Sequence, residues 1–185
     1  AALACASEIH GEQLRKGTSL PYIAHLLAVA ALVIEAGADE DTAIAALLHD
    51  AVEDQGGLPM LKRIRARFGH TVADIVEACT DADVTPKPPW RERKEAYVAA
   101  IAHKSEAALL VSLADKVHNA RAILDDYRLI GEELWARFNG GRDGTLWYYR
   151  ALADAFRDRA PKPLWQRLEN TVGAIETLAR AQETV

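Results

Sequence analysis

The sequence predicts an all-α fold, a compact multi-helix bundle. Apolar residues recur at three- and four-residue intervals along most of the chain, and alternating β-branched runs are nearly absent. Breakers at Gly17, Pro21, Gly37, Gly56-Gly57, Gly69 and the Pro86, Pro88, Pro89 cluster divide it into helix-length pieces. A chain of 185 residues can bury a real core, and no repeat or low-complexity linker splits it. Residues 1–185 are therefore read as a single domain.

In chain order, the pattern predicts a first helix over 2–15, ended by Gly17, and a second over 22–36, between Pro21 and Gly37. A third, over 40–54, takes Asp39 or Asp41 as its cap. Helices over 58–68 and 70–79 are separated by Gly69. The stretch "TDADVTPKPPWRERK" (80–94), dense in proline and charge, reads as a long loop leading into a helix over 91–103. Ser105 caps a long helix over 105–130, and a short one follows over 132–138. "NGGRDGT" (139–145) reads as a flexible loop before helices over 145–159 and 164–182.

Composition narrows the function. A net charge of −5 offers no broad basic field for nucleic acid or an anionic membrane, so neither is expected as a partner. An anionic ligand must then be held by a local cation cluster or a metal. The longest apolar stretch, "LLAVAALVI", is far too short to span a bilayer. Cys5 and Cys79 lie far apart in helical contexts and suggest neither a disulfide nor a metal spacing. With no basic region at the start of the chain, no signal peptide is read, and a cytoplasmic location is expected.

The chemistry concentrates in "ALLHDAVEDQG" (46–56). On a helix, residues three or four apart share a face, so His49 neighbours Glu53, and Asp50 neighbours both Glu53 and Asp54. These groups follow the apolar run "AIAALL", and unpaired charges are costly to bury. They are either the exposed, frayed end of a helix or part of a cation site. Two other apolar runs are interrupted in the same way. "PYIAHLLAVA" carries His25, which is a core histidine or a ligand. "LLVSLADKVHNAR" carries Asp115, with Asn119 one turn on. Together, two imidazoles and two carboxylates make a mixed N/O set suited to Mn, Fe or Zn, with positions left for water.

Cations are local. Arg15 and Lys16 precede the His25 helix and are either a solvated helix end or ligand contacts. Lys87, Arg91, Arg93 and Lys94 form a second basic stretch that either meets phosphates or is a solvated face. Arg142 lies in the glycine-rich loop. Tyr148 and Tyr149, in "GTLWYYRAL", are either core aromatics or ligand contacts.

These residues resemble a known family. His25, His49-Asp50 and Asp115 look like the signature of HD-domain metal-dependent phosphohydrolases. "EQLRKGTSLPYIAHLLAVA", "AALLHDAVEDQGG", "FGHTVADIVEACTDAD" and "LLVSLADKVHNARAI" resemble, in order and spacing, the hydrolase domain of the RelA/SpoT family and the stand-alone small alarmone hydrolases. The resemblance runs from about His10 to Tyr149. It implies that His25, His49, Asp50 and Asp115 bind a divalent ion, usually Mn²⁺, with Zn²⁺ or Fe²⁺ as alternatives. It also implies that Glu53 and Asp54 orient and activate the attacking water, that Arg15 and Lys16 meet the nucleotide, and that Asn119 lies near the ribose.

The expected activity is removal of pyrophosphate from the 3′ position of (p)ppGpp or a related (p)ppNpp alarmone. The partner is thus a small-molecule nucleotide, with the oligomeric state left open. Two alternatives stand beside it: an HD phosphatase acting on another nucleotide (a 5′-nucleotide or the 2′-phosphate of NADPH), and a non-catalytic alarmone-binding module. One position departs from the long enzymes, which commonly carry Thr seven residues after the last metal ligand. Here it is Ala122, two turns beyond Asp115 on the same face, which leaves guanine against adenine preference open.

Overall fold

The computed structural model describes residues 1–80 and 88–182, where the only extended pairing is an isolated bridge between Leu14 and Pro21. The rest is helix and connection: α1 (Ala2–Ile9), α2 (Ile23–Glu35), α3 (Glu40–Leu48), α4 (Ala51–Gln55), α5 (Gly57–Cys79), α6 (Trp90–Ala100), α7 (Glu106–Ile130), α8 (Gly141–Phe156) and α9 (Lys162–Gln182). Short 3-10 turns at Ile101–His103 and Gly131–Arg137 follow α6 and α7.

Capping chemistry places the helices that carry the site. Asp39 accepts a hydrogen bond from Thr42 N at 2.9 Å and starts α3, and Ser105 accepts one from Ala108 N at 3.3 Å and starts α7. α7 packs against α2, α3, α5 and α9 and is the central post of the structure. Its buried face includes Leu109, Val111, Leu113, Ala114 and Ala120, whose small or branched side chains let neighbouring helices approach. A second apolar cluster joins Ile123, Leu124 and Tyr127 of α7 to Leu134, Trp135 and Ile175.

Several boundaries differ from the expected ones, each for a local reason. The first helix stops at Ile9 rather than running to 15. Beyond it the chain bonds to itself, Arg15 N to Leu20 O at 2.9 Å and Tyr22 N to Gln13 O at 2.8 Å. Gly17, at φ 74°, allows that loop to reverse. The helix expected over 40–54 is interrupted at His49-Asp50. Both residues keep right-handed dihedral angles, but Asp50 (φ −94°, ψ −5°) relaxes the turn, and Asp54 N bonding to Asp50 O at 3.0 Å begins α4.

The break expected at Gly69 is present, as a residue at φ 91° and ψ 175° that splits α5. The helix expected over 91–103 ends as a 3-10 turn, and the one expected over 132–138 is a 3-10 turn throughout. "NGGRDGT" is only partly a loop, because α8 already begins at Gly141.

Phe156 is fully buried at the end of α8 and fixes that helix against the core. Phe156→Ala is expected to cost about 3–5 kcal/mol of unfolding free energy. Urea denaturation checks this, and a loss below about 1 kcal/mol would mean that the surrounding helices close the gap.

Candidate metal centre and adjoining cleft

His25 comes from the first turn of α2, His49 and Asp50 from the bend between α3 and α4, and Asp115 from the middle of α7. The helices are packed so closely that these side chains meet. His25 Nε2 lies 3.2 Å from Asp115 Oδ1 and 3.5 Å from Asp50 Oδ2. His49 Nε2 lies 3.0 Å from Asp50 Oδ2 and 3.7 Å from Asp115 Oδ1. His25, His49 and Asp115 are all buried, and their ligand atoms lie within 4.8 Å of one another.

The donors fit a divalent cation. Bonds of about 2.0–2.2 Å place adjacent donors of a coordination shell about 3 Å apart, close to the spacing of these atoms. His49 Nδ1 lies 2.8 Å from Ala46 O and donates its proton there, which leaves Nε2 with a lone pair. That Nε2 is buried and makes no hydrogen bond, although a carboxylate oxygen is 3.0 Å away. A buried nitrogen beside a carboxylate but not bonded to it suits two ligands of one ion. The electrostatics agree. Burial pushes the His49 imidazole down, but Asp50 and Asp115 more than offset this and raise it well above its ordinary value. A cluster that draws a proton this strongly also draws a cation.

Three supporting residues were not singled out from the sequence. Tyr22 donates its hydroxyl to Asp50 Oδ2 at 2.6 Å. Lys116 reaches Asp115 Oδ2 at 2.7 Å; burial works against the Asp115 charge, but Lys116 and the two imidazoles hold that carboxyl well below the usual range. His118 Nδ1 lies 2.8 Å from His25 Nδ1. Burial, with His25 and Arg15 adding to it, pushes His118 down to about 4, so it is a neutral ring. A neutral His118 can accept the His25 Nδ1 proton and fix the tautomer that presents Nε2. Sequence signals for two of these were available: Tyr22 stands three residues before His25, and His118 three after Asp115.

Outer partners of metal-bound histidines commonly carry one or two orders of magnitude of affinity. His118→Ala is therefore expected to weaken divalent-ion binding by roughly 10–100-fold. Competition against a chelator measures this, and an unchanged affinity would show that His25 needs no such support.

A cleft of about 450 Å³ adjoins the centre, lined in part by Arg15, Lys16, Glu53, Lys94, Asn119 and Tyr149. Arg15 and Asn119, 104 positions apart, are joined by an Arg15 Nη2 to Asn119 Oδ1 bond of 2.9 Å, and Asn119 in turn donates to Asp115 Oδ1. Lys94 sits 5.0 Å from the centre of the Tyr148 ring. Ala122 also lines the cleft and leaves space where a larger side chain would project.

Trp90 forms another wall and was not singled out from the sequence either. Its ring fits so closely over Gly140 that a Cβ there would lie 2.6 Å away. Asp54 accepts a hydrogen bond from Gln13 Nε2 at 2.8 Å. Loss of surrounding water raises the Asp54 carboxyl, the Gln13 bond opposes this, and the charges of Asp50 and Glu53 add to the rise.

Among the described residues, Arg91 and Arg142, both singled out from the sequence, do not line this cleft. Arg142 is drawn away by Ala179 O, which accepts from its Nη2 at 3.0 Å, and it lies 3.2 Å from Asp143 on α8. Its loop context suggested freedom, but a position in the first turn of α8 directs it towards α9. Lys87 lies outside the described residues.

Comparison with known proteins gives a match of residues 2–146 to the family described as HD domain. The guanosine-3′,5′-bis(diphosphate) 3′-pyrophosphohydrolase MESH1 of Xenopus tropicalis is 43% identical over 119 residues, covering 63% of this chain and 64% of that protein. A guanosine-3′,5′-bis(diphosphate) 3′-pyrophosphohydrolase of Aquifex aeolicus is 39% identical over 119 residues, covering 64% of this chain and 16% of that protein. The chain thus spans less than two thirds of the length of these curated relatives. Among solved structures, a metazoan ortholog of SpoT described as hydrolysing ppGpp is similar with a TM-score of 0.75 and 28% identity, over 92% of this chain and 90% of that one. The protein lmo0812 of Listeria monocytogenes gives a TM-score of 0.70 and 30% identity, over 85% and 99%. Among the described residues, no helix is long and apolar enough to cross a membrane.

Proposed function

The chain belongs to the HD-domain family, and from that membership and the geometry of its site we propose that it is a metal-dependent hydrolase of alarmones. The reaction is removal of the 3′-pyrophosphate from (p)ppGpp or an adenine equivalent, giving GDP or GTP or their adenine counterparts. The observation that carries the reading is the junction of two features. Buried His25, His49 and Asp115, with Asp50, form a cation site, and the adjoining cleft gathers Arg15, Lys16 and Lys94 in a chain whose overall charge is negative. The relatives named as guanosine-3′,5′-bis(diphosphate) 3′-pyrophosphohydrolases support the choice of substrate.

Mn²⁺ is the ion we assign to the centre, with Zn²⁺ or Fe²⁺ compatible with the same mixed donors. When bound, such an ion acidifies water and polarises a phosphoryl oxygen. The residues of the chain do the rest. Asp54, with its raised pKa, accepts a proton from the attacking water, and Glu53 at the cleft orients that water. Tyr22, by donating to Asp50 Oδ2, holds that carboxylate towards the two imidazoles. Arg15, Lys16 and Lys94 offset the charge of the substrate phosphates, with Arg15 held in place by Asn119. Tyr149 offers a face to the nucleoside. Arg142, turned towards α9, supports that helix rather than the substrate.

Incubating the Mn²⁺-loaded protein with ppGpp and separately with ppApp tests this directly. Pyrophosphate release from at least one is the expected result, and the ratio of the two rates gives the base preference at Ala122. Absence of pyrophosphate from both would overturn the alarmone reading. Orthophosphate in its place would indicate a phosphatase acting on another nucleotide.

A further inference from the structure

α7 separates two concavities. Asn119, Ala122 and Asp126 face the cleft described above, whereas Val117, His118 and Arg121 fall on the far side of the same helix. There, between α7, α2 and α9, lies a groove of about 530 Å³, within the size range of small-molecule sites. Its floor is apolar, with Leu32 and Val117. Its rim carries Arg121, Arg167 and Asn170.

We propose that this groove is a second ligand site, for a small phosphate ester with an apolar body, and that its occupant tightens metal binding through His118 and His25. Charge and shape favour this ligand class. Each rim guanidinium is paired in an exposed setting, Arg167 with Glu35 at 3.2 Å and Arg121 with Asp125 at 3.7 Å. Exposed pairs of this kind contribute little, so both cations can turn to a phosphate, whose oxygens match the guanidinium fork. The apolar floor takes the body of the ligand.

The coupling follows from proton positions. For His25 to present a lone pair at Nε2 to the ion, its proton must sit on Nδ1 and be donated to His118 Nδ1, 2.8 Å away. Because His118 Nδ1 accepts that hydrogen bond, the ring carries its own proton on Nε2, the nitrogen turned from His25. An acceptor in the groove takes a hydrogen bond from that Nε2–H and stabilises the one neutral arrangement that leaves His25 ready for metal. Linkage makes the effect reciprocal: the ion strengthens ligand binding by the same factor.

The test uses Mn²⁺-loaded protein in competition with a chelator, the released ion being followed by electron paramagnetic resonance, with and without phenyl phosphate. In the wild-type protein phenyl phosphate is expected to tighten Mn²⁺ binding by about fivefold or more, the usual lower range of a coupled pair of sites. The R121A/R167A double variant, altered only at exposed residues outside the cleft, should keep its basal Mn²⁺ affinity and lose most of that gain. Phenyl phosphate acting only by coordinating the ion would tighten both proteins equally and overturn the second site, as would no tightening in the wild type. His118→Ala should bind Mn²⁺ more weakly and show no gain, and a gain retained in that variant would overturn the relay. No alarmone is used, so failure of the ppGpp assay and failure of this proposal are separate results.

Discussion

Asp115→Ala is expected to lose its divalent ion and to slow pyrophosphate release by about a thousandfold or more. A metal ion at a phosphoryl group supplies several kcal/mol of charge stabilisation, and about 4 kcal/mol corresponds to three decades in rate. The loss reaches the fold as well. Lys116, 2.7 Å from Asp115 and largely buried, would be left beside His25 and His49 with its counter-charge removed. Breaking one partner of a buried pair costs on the order of 3–5 kcal/mol, so the midpoint of urea denaturation should fall too. Elemental analysis, urea titration and the pyrophosphate assay read the three effects. Full metal occupancy in the variant would remove Asp115 from the ligand set. Asp115→Asn, which preserves size, separates the charge from the packing.

The second large effect concerns Asp54. If it takes the proton from the attacking water, Asp54→Asn should lower kcat by roughly 10²–10⁴-fold while metal content is kept, because Asp54 lies outside the ring of donors. The pH profile gives the independent reading. A general base works in its deprotonated form, so activity rises with pH through its pKa in the folded protein. Burial, with the charges of Asp50 and Glu53, moves that pKa above the ordinary aspartate value, and the acid limb of kcat/KM should lie correspondingly high. In Gln13→Ala the opposing hydrogen bond is lost, and the limb should move further up. An acid limb unmoved by both substitutions would assign the proton transfer elsewhere.

Helical content was legible in the sequence because it is written locally. The apolar spacing of "IAHLLAVAALVIE" and the caps at Asp39 and Ser105 need no distant partner to be recognised. The break inside 40–54 was not legible. His49 and Asp50 keep nearly helical backbone angles, and neither glycine nor proline marks the change. That small break turns both side chains inward beside His25. The loop reading of "NGGRDGT" failed in the other direction, since glycine-rich context reads as mobility while the chain there enters a helix and Arg142 bonds to α9.

The chemistry available to this protein is written in its residue order: an all-α chain, acidic overall, with imidazoles and carboxylates set into apolar helices. It can be read there because residue type and three- or four-residue spacing survive in one dimension. Tertiary structure alone decided which groups meet. Arg15 with Asn119, Tyr22 with Asp50 and His118 with His25 are separated by 104, 28 and 93 positions. Their hydrogen bonds depend on how helices cross within a few ångströms, which no local pattern encodes.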